Sequence, residues 1–204
     1  MNAWAWAALA LYLCWAGTAF GVRAALQRRR TGDAGFRGIS GRPGTASWWA
    51  GILFVVAVLG GAAAPVAALA GLPDLPGTES PPVQGAGLVL TLAGMASTLA
   101  AQTNMGASWR VGVDDNERTP LVTVGLFAHV RNPVFTAMTV AGAGFALMVP
   151  NLVAVLTWAA LVAAVQLQVR VVEEPYLTAV HGEGYAAYTA RAGRFLPGIG
   201  RRAA

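Results

Sequence analysis

Five stretches of this chain are long, apolar and free of charge: residues 3–22, 48–70, 85–101, 133–149 and 151–169 hold no Asp, Glu, Lys or Arg. A bilayer core of about 30 Å needs roughly 20 apolar residues per helix. In lipid the backbone must satisfy its own hydrogen bonds, and a helix does so within one segment. The sequence therefore predicts an all-α, polytopic transmembrane protein with about five spans. Pro150 and Asn151 separate the last two runs and predict a tight helical hairpin, followed by a polar, partly helical tail. Trp48 and Trp49 open the second run, where indoles favour the headgroup zone. The third run is rich in Gly, Ala, Ser and Thr, which allows close helix approach in lipid.

Composition agrees. Hydrophobic residues make up 56% of the 204 and charged residues 11%, against about 25% charged in soluble domains. The chain is read as one membrane domain, residues 1–204. Residues 1–103 hold three spans, and residues 104–204 hold two spans and the tail. No room remains for a separate soluble catalytic domain. The first run lacks a basic start and carries Trp4, Trp6 and Trp15, so it is read as a retained span rather than a cleaved signal. Cys14, the only cysteine, excludes an internal disulfide and a cysteine metal cluster.

The net charge is +5, and all 14 basic side chains are Arg. No basic helix face or aromatic stacking motif accompanies them, so nucleic acid is not an expected partner. Six lie in residues 23–47, three in 102–131 and five from Arg170 onward. None lies in the 71–84 loop, whose charges are Asp74 and Glu79, or in the Pro150 turn. The positive-inside rule predicts an inner or plasma membrane protein with its N-terminus outside and its C-terminus cytoplasmic. Residues 23–47 and 71–84 are rich in Gly and Pro and predict irregular structure.

Two polar segments beside the last two spans carry the candidate chemistry. In the first, Asn132-Pro133 starts a helix, with Pro where no amide donor is needed. Arg131 stands just before it, where a guanidinium can fork onto a carboxylate. In the second, Glu173 and Glu174 end an apolar run with few cations within helical reach. Tyr185 and Tyr188 are three apart and share a helix face. Either they pack the tail onto the membrane domain or they wall a cofactor pocket. Gly182 predicts a turn between two short helices. His129 and His181 are far apart and read as structural or surface residues; no metal is expected.

The pattern Leu121-Val122-Thr123-x-Gly125-Leu126-Phe127-x3-Arg131-Asn132-Pro133-x-Phe135 resembles the first signature of isoprenylcysteine carboxyl methyltransferases and their bacterial relatives. The pattern Glu173-Glu174-x2-Leu177-x4-Gly182-x2-Tyr185-x2-Tyr188-x5-Arg194-Phe195-x-Pro197 resembles their second. Phospholipid methyltransferases share the scheme. The resemblance covers residues 108–197. It implies S-adenosylmethionine bound at the cytoplasmic face and a lipophilic acceptor arriving from the bilayer between helices. Arg131 and Asn132 would orient the polar end of cofactor or acceptor. Gly125, Phe127, Pro133, Phe135, Glu173, Glu174, Tyr185, Tyr188 and Arg194 would complete the cofactor site. Asn132 and Phe135 stand where the family usually has His and Tyr, which bears on the acceptor. With no general base evident, a carboxylate acceptor is favoured, since it needs no deprotonation. Two other readings stay open: a nicotinamide-dependent membrane reductase of the sterol type, and a non-catalytic protein that kept the fold.

Overall fold

A computed structural model describes residues 3–78, 80–111 and 120–202. Glu79 of the second loop and Arg118 of the first polar segment lie outside the described residues. Among those described, five long helical runs follow one another without strands. They are Ala3–Thr31, Ala46–Leu69, Pro81–Met105, Pro133–Met148 and Leu152–Arg191. The protein is an integral membrane protein: four of the five are long and apolar enough to cross a bilayer. Pro133–Met148 has 16 residues, about 24 Å at 1.5 Å per residue, shorter than the hydrocarbon core.

The ends of these helices follow from local sequence. Thr45 and Ser80 cap the second and third by accepting from the amides of Trp48 and Val83. Pro81 and Pro133 occupy first-turn positions. Asn151 is fully buried, accepts from the Ala154 amide at 2.9 Å and donates to the Ala64 carbonyl at 3.0 Å. It thus caps the fifth helix and fastens the fourth–fifth turn to the second helix.

The first helix runs past the expected span. Its continuation Arg23–Thr31 is built of good helix formers. It stops where Gly32 takes a left-handed conformation, φ 80°, with its amide on the Arg28 carbonyl. Irregular structure begins only there. Arg23, expected in a solvated loop, is buried; its guanidinium donates to the carbonyls of Gln102 and Gly106 at 3.0 and 2.7 Å.

The fifth run is 40 residues long, about 60 Å if straight, twice the bilayer core. Its apolar part, residues 152–169, spans; from Arg170 it is polar and lies beyond the span. Gly182 breaks it with φ 49° and ψ −123°, at the expected turn. Two π-helical turns interrupt the long helices, Gly17–Val22 in the first and Gln168–Glu173 in the fifth.

The tightest packing joins the third and fourth helices. Gly87, Thr91 and Gly94 face Ala141, Gly144 and Met148, letting the backbones meet. A Cβ added at Gly94 would lie 2.5 Å from the Ala141 nitrogen, and one at Gly144 2.4 Å from the Thr91 nitrogen. Gly94→Ala is therefore expected to cost at least about 1 kcal/mol by overpacking. Thermal unfolding in detergent checks it; a midpoint equal to wild type would contradict this packing.

Candidate active site

The segment before the fourth helix and the chain's last residues are bound together. Val130 and Gly193 form a bridge, with the Arg131 amide on the Gly193 carbonyl at 2.8 Å and the Gly193 amide on the His129 carbonyl at 3.1 Å. Asn132 donates to the Arg194 carbonyl from its backbone at 3.2 Å and from its side-chain amide at 3.0 Å. Thr136, one turn on, donates to the Phe195 carbonyl at 2.8 Å.

Under this strap lies an ion cluster centred on buried Glu174 and Arg131. Glu174 Oε1 accepts from Arg131 Nη2 at 3.0 Å and Arg194 Nε at 2.7 Å. Its Oε2 accepts from Arg194 Nη2 at 3.0 Å and Arg202 Nη2 at 2.6 Å. Arg131 further donates to the carbonyls of Ala192 and Gly200 at 2.7 and 3.1 Å. Burial would raise the Glu174 carboxyl, but the hydrogen bonds from Arg194 and Arg131 and the charges of Arg194 and Arg202 hold it below its ordinary value. The same hydrogen bond from Glu174 raises Arg194 above its ordinary value. Both Glu174 oxygens are thus occupied from within the protein.

Glu173 faces elsewhere. It lines a cavity of about 580 Å3 bounded by the first, second, third and fifth helices and the start of the fourth. Gln102, Arg110, Arg131, Asn132, Gln168 and Glu173 make its polar end; Phe54, Val55, Val58, Leu59, Met138 and Val165 make its apolar end. Exposed Val55 and Leu59 bring that apolar end to the lipid-facing surface. Gln168 donates to Glu173 Oε1 at 3.3 Å. Burial pushes the Glu173 carboxyl up to about 7; Gln168's hydrogen bond and Arg110's charge draw it back, and Glu174 adds to the rise. Both π turns reach this cavity, through Phe20 and through Gln168 and Glu173. Such turns concentrate at functional sites.

The cavity's roof has no signal in the sequence patterns. Phe36 bridges to Val111, the Val111 amide bonding the Gly35 carbonyl at 2.7 Å. Gly35 has φ 77°, and a Cβ there would lie 2.9 Å from the Trp109 ring. The pairing sets Phe36, Ile39 and Trp109 over the cavity. Arg23 stacks on Trp109, 5.5 Å from the ring centroid. Hydropathy and arginine counting mark residues 23–47 only as a loop; their non-local pairing to Val111 is invisible there.

The expected site residues therefore divide. Phe127, Arg131, Asn132, Phe135 and Glu173 line the cavity. Glu174 and Arg194 are ion-paired beneath the strap. Tyr185 and Tyr188 are buried against Leu121, Leu177 and Ala192, and the Tyr188 hydroxyl donates to the Phe127 carbonyl at 2.6 Å. They pack the tail onto the membrane domain and do not line the cavity. Pro133 starts the fourth helix. Gly125, φ 61°, permits a close approach, since a Cβ there would lie 1.6 Å from Asn104 Oδ1. Among the described residues, no three His, Cys, Asp or Glu side chains gather to hold a metal.

Among the described residues this cavity, with polar and apolar side chains in its lining, has the size and character of a ligand site. Residues 83–184, half of the chain, match the family model of the phospholipid methyltransferases. The chain belongs to that family, and is a membrane methyltransferase. No curated protein matches it.

Proposed function

We propose that the protein transfers a methyl group from S-adenosylmethionine to a lipophilic acceptor that enters from the bilayer. The observation that carries this reading is the single cavity joining Arg131, Asn132 and Glu173 to the lipid-facing Val55 and Leu59. At about 580 Å3 it falls among ligand sites. Glu173 fits a cationic cofactor: its carboxyl lines the cavity, bonded by the Gln168 amide, and a carboxylate held partly away from water is stabilised by a cationic partner. When bound, the cofactor supplies a methyl already activated by a positive sulfur.

The chain's own residues supply placement, and placing two reactants can contribute about 7–11 kcal/mol. Glu173 would hold a cofactor ammonium or hydroxyl. Asn132, fixed by its bond to Arg194, would orient the reacting end, with Arg131 behind it. Phe127 and Phe135 would pack the ligands and exclude water. Glu174, Arg194, Tyr185, Tyr188, Gly125 and Pro133 would keep that frame in place without touching the ligand. A carboxylate needs no deprotonation before transfer, which favours a carboxylate on an isoprenoid or lipid-like acceptor. We further read the N-terminus as outside, the C-terminus as cytoplasmic, and residues 104–204 as the catalytic core of a single domain.

Calorimetry on detergent-purified protein tests the cofactor. S-adenosylmethionine and S-adenosylhomocysteine are expected to bind and NADPH not to bind. Binding of NADPH alone would establish a reductase; binding of none would support a protein that kept the fold without the activity. A cytoplasm-dependent reporter fused after Ala204 is expected to be active, and silence there with activity at the N-terminus would invert the topology.

A further inference from the structure

A second, smaller cavity lies behind the apolar end of the first. It measures about 50 Å3 and sits among the first, second, fourth and fifth helices. Val58 and Met138 line both cavities, so the two meet at those side chains. Its walls are nearly all apolar, and an aromatic cluster closes it. Tyr12 stands 5.9 Å from Trp15 and 5.5 Å edge-on from Phe145. The Tyr12 hydroxyl donates to the Val58 carbonyl, which fixes the ring. A Cβ at Gly61 would lie 2.2 Å from that ring, so Tyr12 is seated on bare backbone and has no retreat.

We propose that this second cavity seats the end of the acceptor's hydrocarbon tail and so sets the tail length the protein accepts. The inference rests on the reading that a lipophilic acceptor occupies the large cavity. At roughly 10–15 Å3 for each water-sized group, the space of about 50 Å3 takes about three to five such groups. Left empty, its lining loses dispersion contacts that a tail would restore. Among lipid tails there is no hydrophobic gain to distinguish chains, so discrimination comes from fit. A tail that fills the space gains contacts. One group more meets the fixed Tyr12, Trp15 and Phe145 rings. In a hydrophobic pocket one methylene is worth about tenfold or more in selectivity.

The test uses the full chain in detergent micelles, photolysed with saturated fatty acids of increasing length that carry a diazirine on the terminal carbon. At the best-bound length, adducts are expected on Tyr12, Trp15 or Phe145, and unlabelled acid of that length should remove them. Ala146→Leu fills only the second cavity and should move adducts to Phe54, Val55 or Leu59. Phe145→Leu should shift the best-bound length upward by about one or two methylenes. S-adenosylhomocysteine affinity should be unchanged in both variants, which also shows that they fold. Wild-type adducts absent from the three aromatic residues, or an adduct pattern and length preference unchanged in both variants, would overturn the proposal. Failure of wild type to bind S-adenosylhomocysteine would instead remove the methyltransferase reading.

Discussion

Glu174→Gln is expected to free the C-terminal strap and to lower stability by about 3 kcal/mol, because it leaves buried Arg131 without its counter-charge while the more exposed Arg194 and Arg202 stay partly solvated. Arg131, Arg194 and Arg202 converge on this one carboxylate, so a neutral amide leaves three positive charges facing one another. Hydrogen exchange should show residues 193–202 unprotected in the variant and protected in wild type. Cofactor affinity should fall with it, since Asn132 is positioned by the Arg194 carbonyl. Protection equal to wild type would show that the cluster is dispensable. Acid should mimic the substitution. The folded Glu174 carboxyl lies below its ordinary value, so its contribution is complete above the unfolded value and is lost as pH falls through the folded one. The strap should therefore loosen in acid and stay closed at neutral pH.

Glu173→Gln should weaken S-adenosylhomocysteine binding roughly ten- to a hundredfold while the strap stays protected; one charge-assisted hydrogen bond, about 1.5–3 kcal/mol, accounts for that range. The wild-type pH profile of binding should carry the signature of this residue. With the free carboxyl at about 7, the charged form required by a cationic ligand gives way to the neutral form below that pH. Affinity should then fall toward tenfold per pH unit in acid, and Glu173→Gln should flatten the slope. Glu183→Gln, on the tail beyond the Gly182 turn, should bind as wild type. A profile just as steep in Glu173→Gln would assign the titration to another group.

The helices were legible because lipid imposes a length and a composition that a one-dimensional reading can measure. The third helix runs past its apolar run of residues 85–101 at both ends: Pro81–Gln84, expected to be irregular, form its first turn because proline is tolerated there, and Gln102–Met105 extend its last. The first differs more, because helix propensity carries Arg23–Thr31 onward after hydropathy has ended. At the site, the pairing of acids with an apolar helix end was visible, but the partners were not. Helical spacing looks three or four residues away, whereas the arginines on Glu174 come from Arg131, Arg194 and Arg202 in other segments. The shared face of Tyr185 and Tyr188 was legible from their spacing. Which side of the helix faced the cavity was not, because a helical wheel has no origin until its neighbours are placed.

The π turn at Gln168–Glu173 gives the fifth helix a change of phase. A π turn carries one residue more than the α turn it replaces, and each residue of an α-helix advances the wheel by about 100°. Straightening the same residues into regular α would turn everything beyond by about that angle, whereas removing one residue between Gln168 and Glu173 would restore regular α with the phase kept. Glu173 points to the cavity and Glu174 to the arginines only in the present phase. The chain thus uses one surplus residue as an angular offset between a segment fitted to lipid and a segment fitted to its ligand. A single-residue deletion in the π turn that spares Gln168 and Glu173 should therefore leave helix content, insertion and ligand binding intact, and loss of binding with the helix unbroken would show that the phase was not kept.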